Sequence, residues 1–330
     1  MPKASSPHWE RAIVTEYMHR VIVALTFVAV LAGIPFSASW AADKEIRIGF
    51  QKYGTLVLLK AKGTLEKKLA PLGFKVAWTE FPSGPPLLEA INVGAIDFGT
   101  AGETPPIFAQ EAGASILYVA HEPAAPRGEA ILVSKDSPIK QVADLKGKKV
   151  ALNKGSNVHY LLVKALEQAG IKYADIQPVF LAPADARAAF ERGAVDAWVI
   201  WDPYQAAAES ATGARTLTDG TGIVANHQFY LAEQKFAAAN PQIIDAVVAA
   251  IGDIDAWAKD NAHAVAEELS PSIGIPAPIL EVALERQSYG IRPLDDTVVA
   301  GQQQIADTFL ALGLIPKPIN VSAIVRRAGS

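Results

Sequence analysis

Short apolar runs alternate with amphipathic stretches along the chain from residue 45 onward. The apolar runs predict strands at 45–50, 75–81, 96–100, 116–121, 129–134, 149–152, 176–181 and 196–200. The stretches between them predict helices at 55–69, 86–93, 104–111, 158–168, 184–192 and 203–210. Residues 241–312 have helical apolar spacing, with a break at 270–278. Strands that alternate with helices of this length predict an α/β fold in which helices cover parallel sheets.

Two stretches about 100 residues apart repeat one another. Residues 81–98 align without a gap with residues 180–197, and a Phe, an Ala, a Gly, an Ala and an Asp coincide. Upstream, residues 48–55 and 150–156 both combine an apolar run, an amide, a lysine, and a glycine followed by a hydroxyl residue. This self-similarity favours two lobes of like construction with the working surface between them. The alternative is chance recurrence of a common helix–strand turn.

Two interruptions of the alternation indicate where the chain crosses between lobes. The first is the proline-rich stretch 123–126, and the second follows the glycines at 220–222. We therefore expect residues 42–125 together with 228–330 to form lobe I, and residues 126–227 to form lobe II.

The N-terminal segment predicts export. An uncharged apolar run at 21–34 follows Arg20 and precedes small residues that end at Ala41. A run of 14 residues is too short to cross a bilayer core of ~30 Å, so we expect a signal peptide at 1–41. The alternative is a retained membrane anchor, and the start codon is either Met1 or Met18. Because the chain has no cysteine, it has no site for a lipid anchor, and we predict a periplasmic location.

Composition and motifs exclude several classes of function. The formal net charge is −4 and no basic block occurs, which argues against nucleic-acid binding. The chain lacks the nucleophile elbow, the dinucleotide fingerprint, the phosphate loop and the His-Glu-x-x-His motif. None of the six histidines lies at metal-ligand spacing from another. We predict that the protein is not an enzyme and has no metal and no cofactor.

Candidate ligand residues lie where predicted strands end and helices begin. Three such turns carry small and hydroxyl residues, at 54–55, 100–104 and 156–157. The first N–H groups of a helix have no partner within it and favour an anion. The alternative is ordinary capping by threonine and serine, without a ligand.

A second group of candidates surrounds the strand that ends at Asp202. Trp201 is either an aromatic wall or a core residue, and Asp202 is either a ligand acceptor or the cap of a helix that begins at Pro203. His159 lies just inside a predicted helix and is either a ligand contact or a surface residue. Polar and aromatic residues at other strand ends are weaker candidates, namely Gln51, His121, Phe229 and Tyr230.

Several strings of the chain resemble the periplasmic aliphatic sulfonate-binding proteins of ABC importers. They lie at 81–85, 89–97, 105–110, 138–147, 154–156, 175–178, 183–190 and 200–204. The resemblance implies a two-lobed periplasmic-binding-protein fold. Each lobe would be a mixed, mostly parallel sheet flanked by helices, and two crossover hinge segments would join them. It further implies a monomer that captures an alkanesulfonate and delivers it to a membrane permease with a cytoplasmic ATPase, for sulfur acquisition.

The resemblance also implies which residues contact the ligand. The expected head-group contacts are Gln51, Gly54, Thr55, Thr100, Gly102, Ser156 and Asn157, while Trp201 and Asp202 would shape the pocket for the tail. The chain departs from the family pattern at Tyr53, an additional residue, and at Glu103, where relatives often carry aspartate. Because both positions lie in the lobe I half of the pocket, other ligands stay open as alternatives: taurine, nitrate, bicarbonate or another small anion. A further alternative is an enzyme on the same scaffold, of the type that makes the thiamine pyrimidine.

Overall fold

The computed structural model describes residues 44–326, so the expected signal peptide lies outside the described residues. The strands are β1 (Lys44–Phe50), β2 (Phe74–Glu80), β3 (Phe98–Gly102), β4 (Ile116–His121), β5 (Glu129–Val133), β6 (Lys149–Leu152), β7 (Gln177–Phe180), β8 (Ala197–Trp201), β9 (Arg215–Asp219) and β10 (Gln228–Glu233). The helices as far as β10 are α1 (Thr55–Lys62), α2 (Thr64–Leu69), α3 (Gly84–Asn92), α4 (Pro105–Glu111), α5 (Asn157–Gln168), α6 (Pro183–Glu191) and α7 (Tyr204–Thr212). After β10 follow α8 (Gln234–Ala239), α9 (Pro241–Ala258), α10 (Ala262–Ile273), α11 (Ala277–Glu285) and α12 (Asp296–Ala311).

These strands form two five-stranded sheets of the same construction. The first has the order β2-β1-β3-β10-β4 and the second the order β7-β6-β8-β5-β9. In each sheet three neighbouring strands are parallel, and one strand, β10 or β5, runs antiparallel between the third and the last. The α/β prediction is correct, and both sheets are mixed.

The repeat seen in the sequence is also a repeat in the structure. Asp97 accepts a hydrogen bond from the backbone N–H of Arg47, and Asp196 accepts the same bond from Lys149. In both copies the helix ends at a glycine with positive φ, +69° at Gly94 and +67° at Gly193. Chance recurrence does not produce two equivalent strand–helix–strand units in two equivalent sheets, so the lobe-like repeat is real.

Three apolar clusters hold the elements together. The first joins one face of the first sheet to α1, α9 and α10, and the second lies around the second sheet and α5. The third covers the other face of the first sheet and includes Phe309 of α12 as well as Tyr160 of α5. Helix α12 therefore contacts elements that belong with both sheets. None of the helices between residues 44 and 326 combines the length and apolar character that a membrane crossing requires.

Several predicted boundaries were wrong. The helix expected at 55–69 is divided at Gly63, which adopts φ +58°, and strand β9 was missed because its side chains are only half buried. The break expected at 270–278 begins later, since Ser270 and Pro271 still belong to α10. Residues 286–295, expected to be helical, connect α11 to α12 without a helix.

Candidate functional site

A cavity lies where the ends of the two sheets face each other. The turn after β1 contributes Tyr53 and Gly54, and the turn after β8 contributes Asp202 and Pro203. Apolar side chains of α10 and α11 close the remaining side. The cavity is therefore bordered by the predicted ligand turn at Gly54 from the first sheet and by Asp202, a predicted pocket residue, from the second, with apolar surface beside them.

Gln228 is a candidate that sequence reasoning missed. Its side chain lies against Gly54, which adopts φ +77°, and a Cβ at position 54 would overlap the Gln228 amide. Gln228 is 4% exposed, and neither atom of its amide has a hydrogen-bond partner among residues 44–326. It also pairs with Gly102 in the sheet. A buried amide without partners, between two predicted ligand glycines, is a site for a polar guest.

Gly102 and Asn157 bring the two sheets into contact. A Cβ at position 102 would lie 2.9 Å from the Cβ and Cγ atoms of Asn157, so only glycine allows this approach. The amide of Asn157 donates to the carboxylate of Glu129 and to Oδ1 of Asn226, at 3.1 Å for the latter. The end of β3 and the beginning of α5, two of the predicted ligand turns, therefore lie side by side.

Four other candidates use their side chains inside the protein. The amide of Gln51 donates to the Thr100 carbonyl at 3.0 Å, and the Thr100 hydroxyl donates to the Phe229 carbonyl at 3.1 Å. The Thr55 hydroxyl donates to Asp255 at 2.7 Å, and the Ser156 hydroxyl donates to the Asn153 carbonyl at 2.8 Å. What these turns still offer a ligand is backbone N–H groups at the beginnings of α1 and α5. Their contact with a ligand stays a prediction.

Three aromatic candidates lie in packed surroundings. His159 is fully buried, its Nδ1 accepts from the Gly155 N–H, and its Nε2 lies 2.9 Å from the Tyr173 hydroxyl. Burial, with the charge of Lys154, lowers the pKa of His159 to about 4. Phe229 belongs to the third apolar cluster, and the Tyr230 hydroxyl donates to Glu122. The structure thus places these three in the core rather than against the cavity described above.

Trp201 and Asp202 differ in their surroundings. Trp201 is 5% exposed and belongs to the core of the second sheet, with its ring 6.3 Å from that of Tyr204. Asp202 borders the cavity, and its Oδ1 accepts from the Ala206 N–H in the first turn of α7. Asp202 thus bonds to an N–H of the first helical turn, as expected of a cap. However, the N-cap residue is Pro203 and α7 begins at Tyr204, one residue later than predicted.

Buried carboxyl groups accumulate around these turns. Oε2 of Glu103 accepts from the His227 backbone N–H at 3.2 Å, and Oε2 of Glu129 accepts from Asn157. Burial raises the pKa of Glu103 to about 7, against the backbone hydrogen bonds that it accepts. Burial, and then the charge of Glu103, raises the pKa of Glu129 well above its usual value. Burial also raises the pKa of Asp202 to about 7, although Arg286 opposes this shift.

Glu122 gives the site a pH-dependent stability. Burial, and then the charge of Asp255, raises the pKa of Glu122 from 4.5 to about 9. The folded protein therefore keeps a proton that the unfolded chain releases, and the free energy of unfolding falls as the pH rises from about 5 to about 9. We expect Glu122→Gln to unfold at a higher temperature than the wild type at pH 8.5 but not at pH 5, as measured by thermal denaturation. The exposed control Glu89→Gln should follow the wild type, and equal pH profiles for Glu122→Gln and wild type would contradict this assignment.

No group of three or more histidines or acidic residues within residues 44–326 has the arrangement of a metal site. What the site offers is backbone N–H groups, one free amide and buried carboxyls, beside an apolar cavity. Such a set can bind a small polar guest with an apolar tail.

Comparisons with known proteins agree with this reading. The family model "NMT1/THI5 like" matches residues 73–262. A protein of Escherichia coli (strain K12), named as aliphatic sulfonates-binding, is 46% identical over 305 residues, which cover 92% of this chain and 95% of that protein. The crystal structure of the periplasmic aliphatic sulphonate binding protein SsuA from Escherichia coli is 47% identical and superimposes with a TM-score of 0.77 over 85% of this chain and 97% of that one.

A second solved structure is the alkanesulfonate-binding protein SsuA from Xanthomonas axonopodis pv. citri bound to MOPS. It is 40% identical, with a TM-score of 0.82 over 86% of this chain and 98% of that one. These likenesses confirm the two-lobed periplasmic-binding-protein fold expected from the sequence. The relatives are named as binding proteins, in agreement with the prediction of a protein that is not an enzyme. The chain therefore belongs to the NMT1/THI5-like family, and within it to the group of aliphatic sulfonate-binding proteins whose motifs its own strings resemble.

Proposed function

We propose that this chain is the periplasmic solute-binding component of an ABC importer, which captures aliphatic sulfonates for sulfur acquisition. The observation that carries the proposal is the cavity between the two sheets, where the ligand turn at Gly54 faces Asp202 and the unpartnered amide of Gln228 lies against Gly54. Relatives that share 40–47% of their residues with this chain are named for sulfonate binding.

The chemistry of the guest matches these groups. A sulfonate is a permanent monoanion with three acceptor oxygens and no donor, so it suits the N–H groups at the beginnings of α1 and α5. The apolar surface of α10 and α11 suits an alkyl tail. A ligand that contacts both sheets stabilises the closed form relative to the open form. Binding therefore shifts the population of molecules towards the closed form.

The organisation of the working protein completes the proposal. Lobe I comprises residues 42–125 and 228–330 and lobe II residues 126–227, a division supported by the composition of the two sheets. The protein is a monomer that is exported by its signal peptide, is not lipid-anchored, and delivers its ligand to a membrane permease with a cytoplasmic ATPase. Gln51, Gly54, Thr55, Thr100, Gly102, Glu103, Ser156, Asn157, His159, Trp201 and Asp202 remain the proposed ligand residues, and Gln228 joins them.

A ligand panel tests the proposal. The purified protein is heated with ethanesulfonate, butanesulfonate, taurine, nitrate or bicarbonate in a buffer that is itself not a sulfonate. We expect the alkanesulfonates to raise the melting temperature, and Gln228→Leu to reduce this shift, while the exposed control Gln304→Leu keeps it. If nitrate or bicarbonate raises the melting temperature and no sulfonate does, the proposed ligand is wrong. If any candidate is converted to product, the protein is an enzyme and the proposed function is wrong.

A further inference from the structure

Glu103 and Glu129 form a pair of buried acids contributed by separate sheets. Glu103 follows β3 of the first sheet, and Glu129 begins β5 of the second. They are 2% and 0% exposed. In each, Oε2 accepts a hydrogen bond from an N–H group, whereas Oε1 has no partner among the residues that the structure describes.

The surroundings of the pair supply no positive charge. Tyr118, Tyr160 and Gln302 lie near Glu103, whose Oε2 accepts from the backbone N–H of His227. Glu103 also borders a second cavity. Tyr53 and Asn157 face Glu129. Within residues 44–326, no lysine or arginine is among the groups that shift the pKa of either carboxyl. If both carboxyl groups were ionised, no positive charge nearby would therefore balance their two negative charges.

The pair adjoins the ligand turns. Asn157, which holds Glu129, packs on Gly102, the residue before Glu103. Gln228, with its unpartnered and almost fully buried amide, pairs with the same Gly102. The free Oε1 atoms and the free amide are thus unpartnered buried polar atoms close to the same turn, at Gly102.

A sulfonate brings only acceptors to this place. An ionised carboxylate beside it would repel it and could not bond to it, whereas a neutral carboxyl has an O–H to donate. Since Oε2 of each acid already accepts an N–H bond, the proton belongs on Oε1, the atom that lacks a partner. We propose that Glu103 and Glu129 bind the sulfonate as neutral carboxylic acids that donate from Oε1, so that capture of the anion is linked to proton uptake.

This inference rests on the proposed function. It adds a source of specificity, because neutral carboxyl groups donate to a ligand that offers only acceptor atoms. The proton comes from solvent, and the second cavity, with the exposed residues Thr297 and Gly301 on its rim, gives Glu103 a route to it. The sulfonate stays ionised throughout. The raised pKa values of both acids, about 7 for Glu103, agree with neutral carboxyls below pH 7.

Calorimetry across pH tests the linkage. Ethanesulfonate is titrated into the protein in bis-Tris and Tris buffers between pH 6 and 9, and proton uptake is measured directly by pH-stat in unbuffered solution at pH 8. We expect a constant affinity below about pH 6.5 and a loss approaching tenfold per pH unit above pH 7 for each proton taken up. The double variant E103Q/E129Q, which keeps N–H donors at the same positions, should bind without pH dependence and without proton uptake. The exposed control Glu89→Gln should behave as the wild type.

The other outcomes are distinct. Binding of ethanesulfonate by the wild type with no proton uptake and a flat pH profile overturns this inference and leaves the proposed function in place. No binding of any sulfonate between pH 6 and 9 overturns both. If taurine binds more tightly as the pH rises, and the Gln variants lose it, the carboxylates are ionised and bind an ammonium group, which also overturns the proton linkage. The proton measurement on the wild type does not depend on whether the variants fold.

Discussion

Gly102→Leu is expected to weaken ethanesulfonate binding by about 10- to 100-fold, because overpacking a close contact costs about 1–3 kcal/mol. A Cβ at this position would already lie 2.9 Å from Asn157, and the remaining atoms of leucine have no room while the two sheets stay in contact. The substitution therefore penalises the closed form, which is the form that binds. Titration calorimetry measures the affinity, and small-angle scattering measures whether ligand still compacts the protein.

A matched control separates closure from a general loss of fold. Ala300 is exposed on α12. Ala300→Leu should bind ethanesulfonate as the wild type does. Equal affinity of Gly102→Leu and wild type would show that the Gly102–Asn157 contact has no part in binding.

Arg286→Met is expected to lower the free energy of unfolding by about 3 kcal/mol at pH 8, the range found when one partner of a buried ion pair is removed. Arg286 lies 3.5 Å from Asp202 and 2.7 Å from Glu209, and the side chain of Asp202 is 3% exposed. Without the guanidinium the pKa of Asp202 rises further above about 7. Asp202 then takes up a proton in acid, so the loss should be smaller at pH 5.5 than at pH 8. Urea denaturation at both pH values measures it.

Two further variants test the cause of this loss. Arg187 forms an exposed pair with Glu191, and Arg187→Met should cost less than about 1 kcal/mol. Adding Asp202→Asn to Arg286→Met should recover part of the stability at pH 8, since the unpaired charge is removed. If Arg286→Met and Arg187→Met are equally stable, or the loss does not depend on pH, the ion pair does not stabilise the fold as described.

The repeated strand–helix–strand unit could be predicted from the sequence because its signals are local. The glycine that ends each helix and the aspartate that holds the neighbouring strand lie within one short stretch. Strand β9 carries no such signal, since its half-buried side chains give no clear alternation.

The candidate site was predicted only as far as the turns. Whether a hydroxyl is free to bind a ligand depends on residues that are distant in the chain. The Thr55 hydroxyl, for example, donates to Asp255, which lies 200 positions away. Glu129 was missed because it reads as an ordinary first residue of a strand, and Gln228 because it lies in a short stretch that follows a predicted crossing. Their significance comes from the partners that they lack in three dimensions, which no spacing in the sequence expresses.

The antiparallel strand inserted into each sheet has a consequence for the order in which the protein acquires its structure during synthesis. Residues 129–219 contain every strand of the second sheet, so that sheet can assemble from one continuous segment. The first sheet lacks its link between β3 and β4 until residues 228–233 have emerged. A nascent chain that stops short of residue 228 therefore carries one complete sheet and one with two unpaired strand edges, which can pair with other chains.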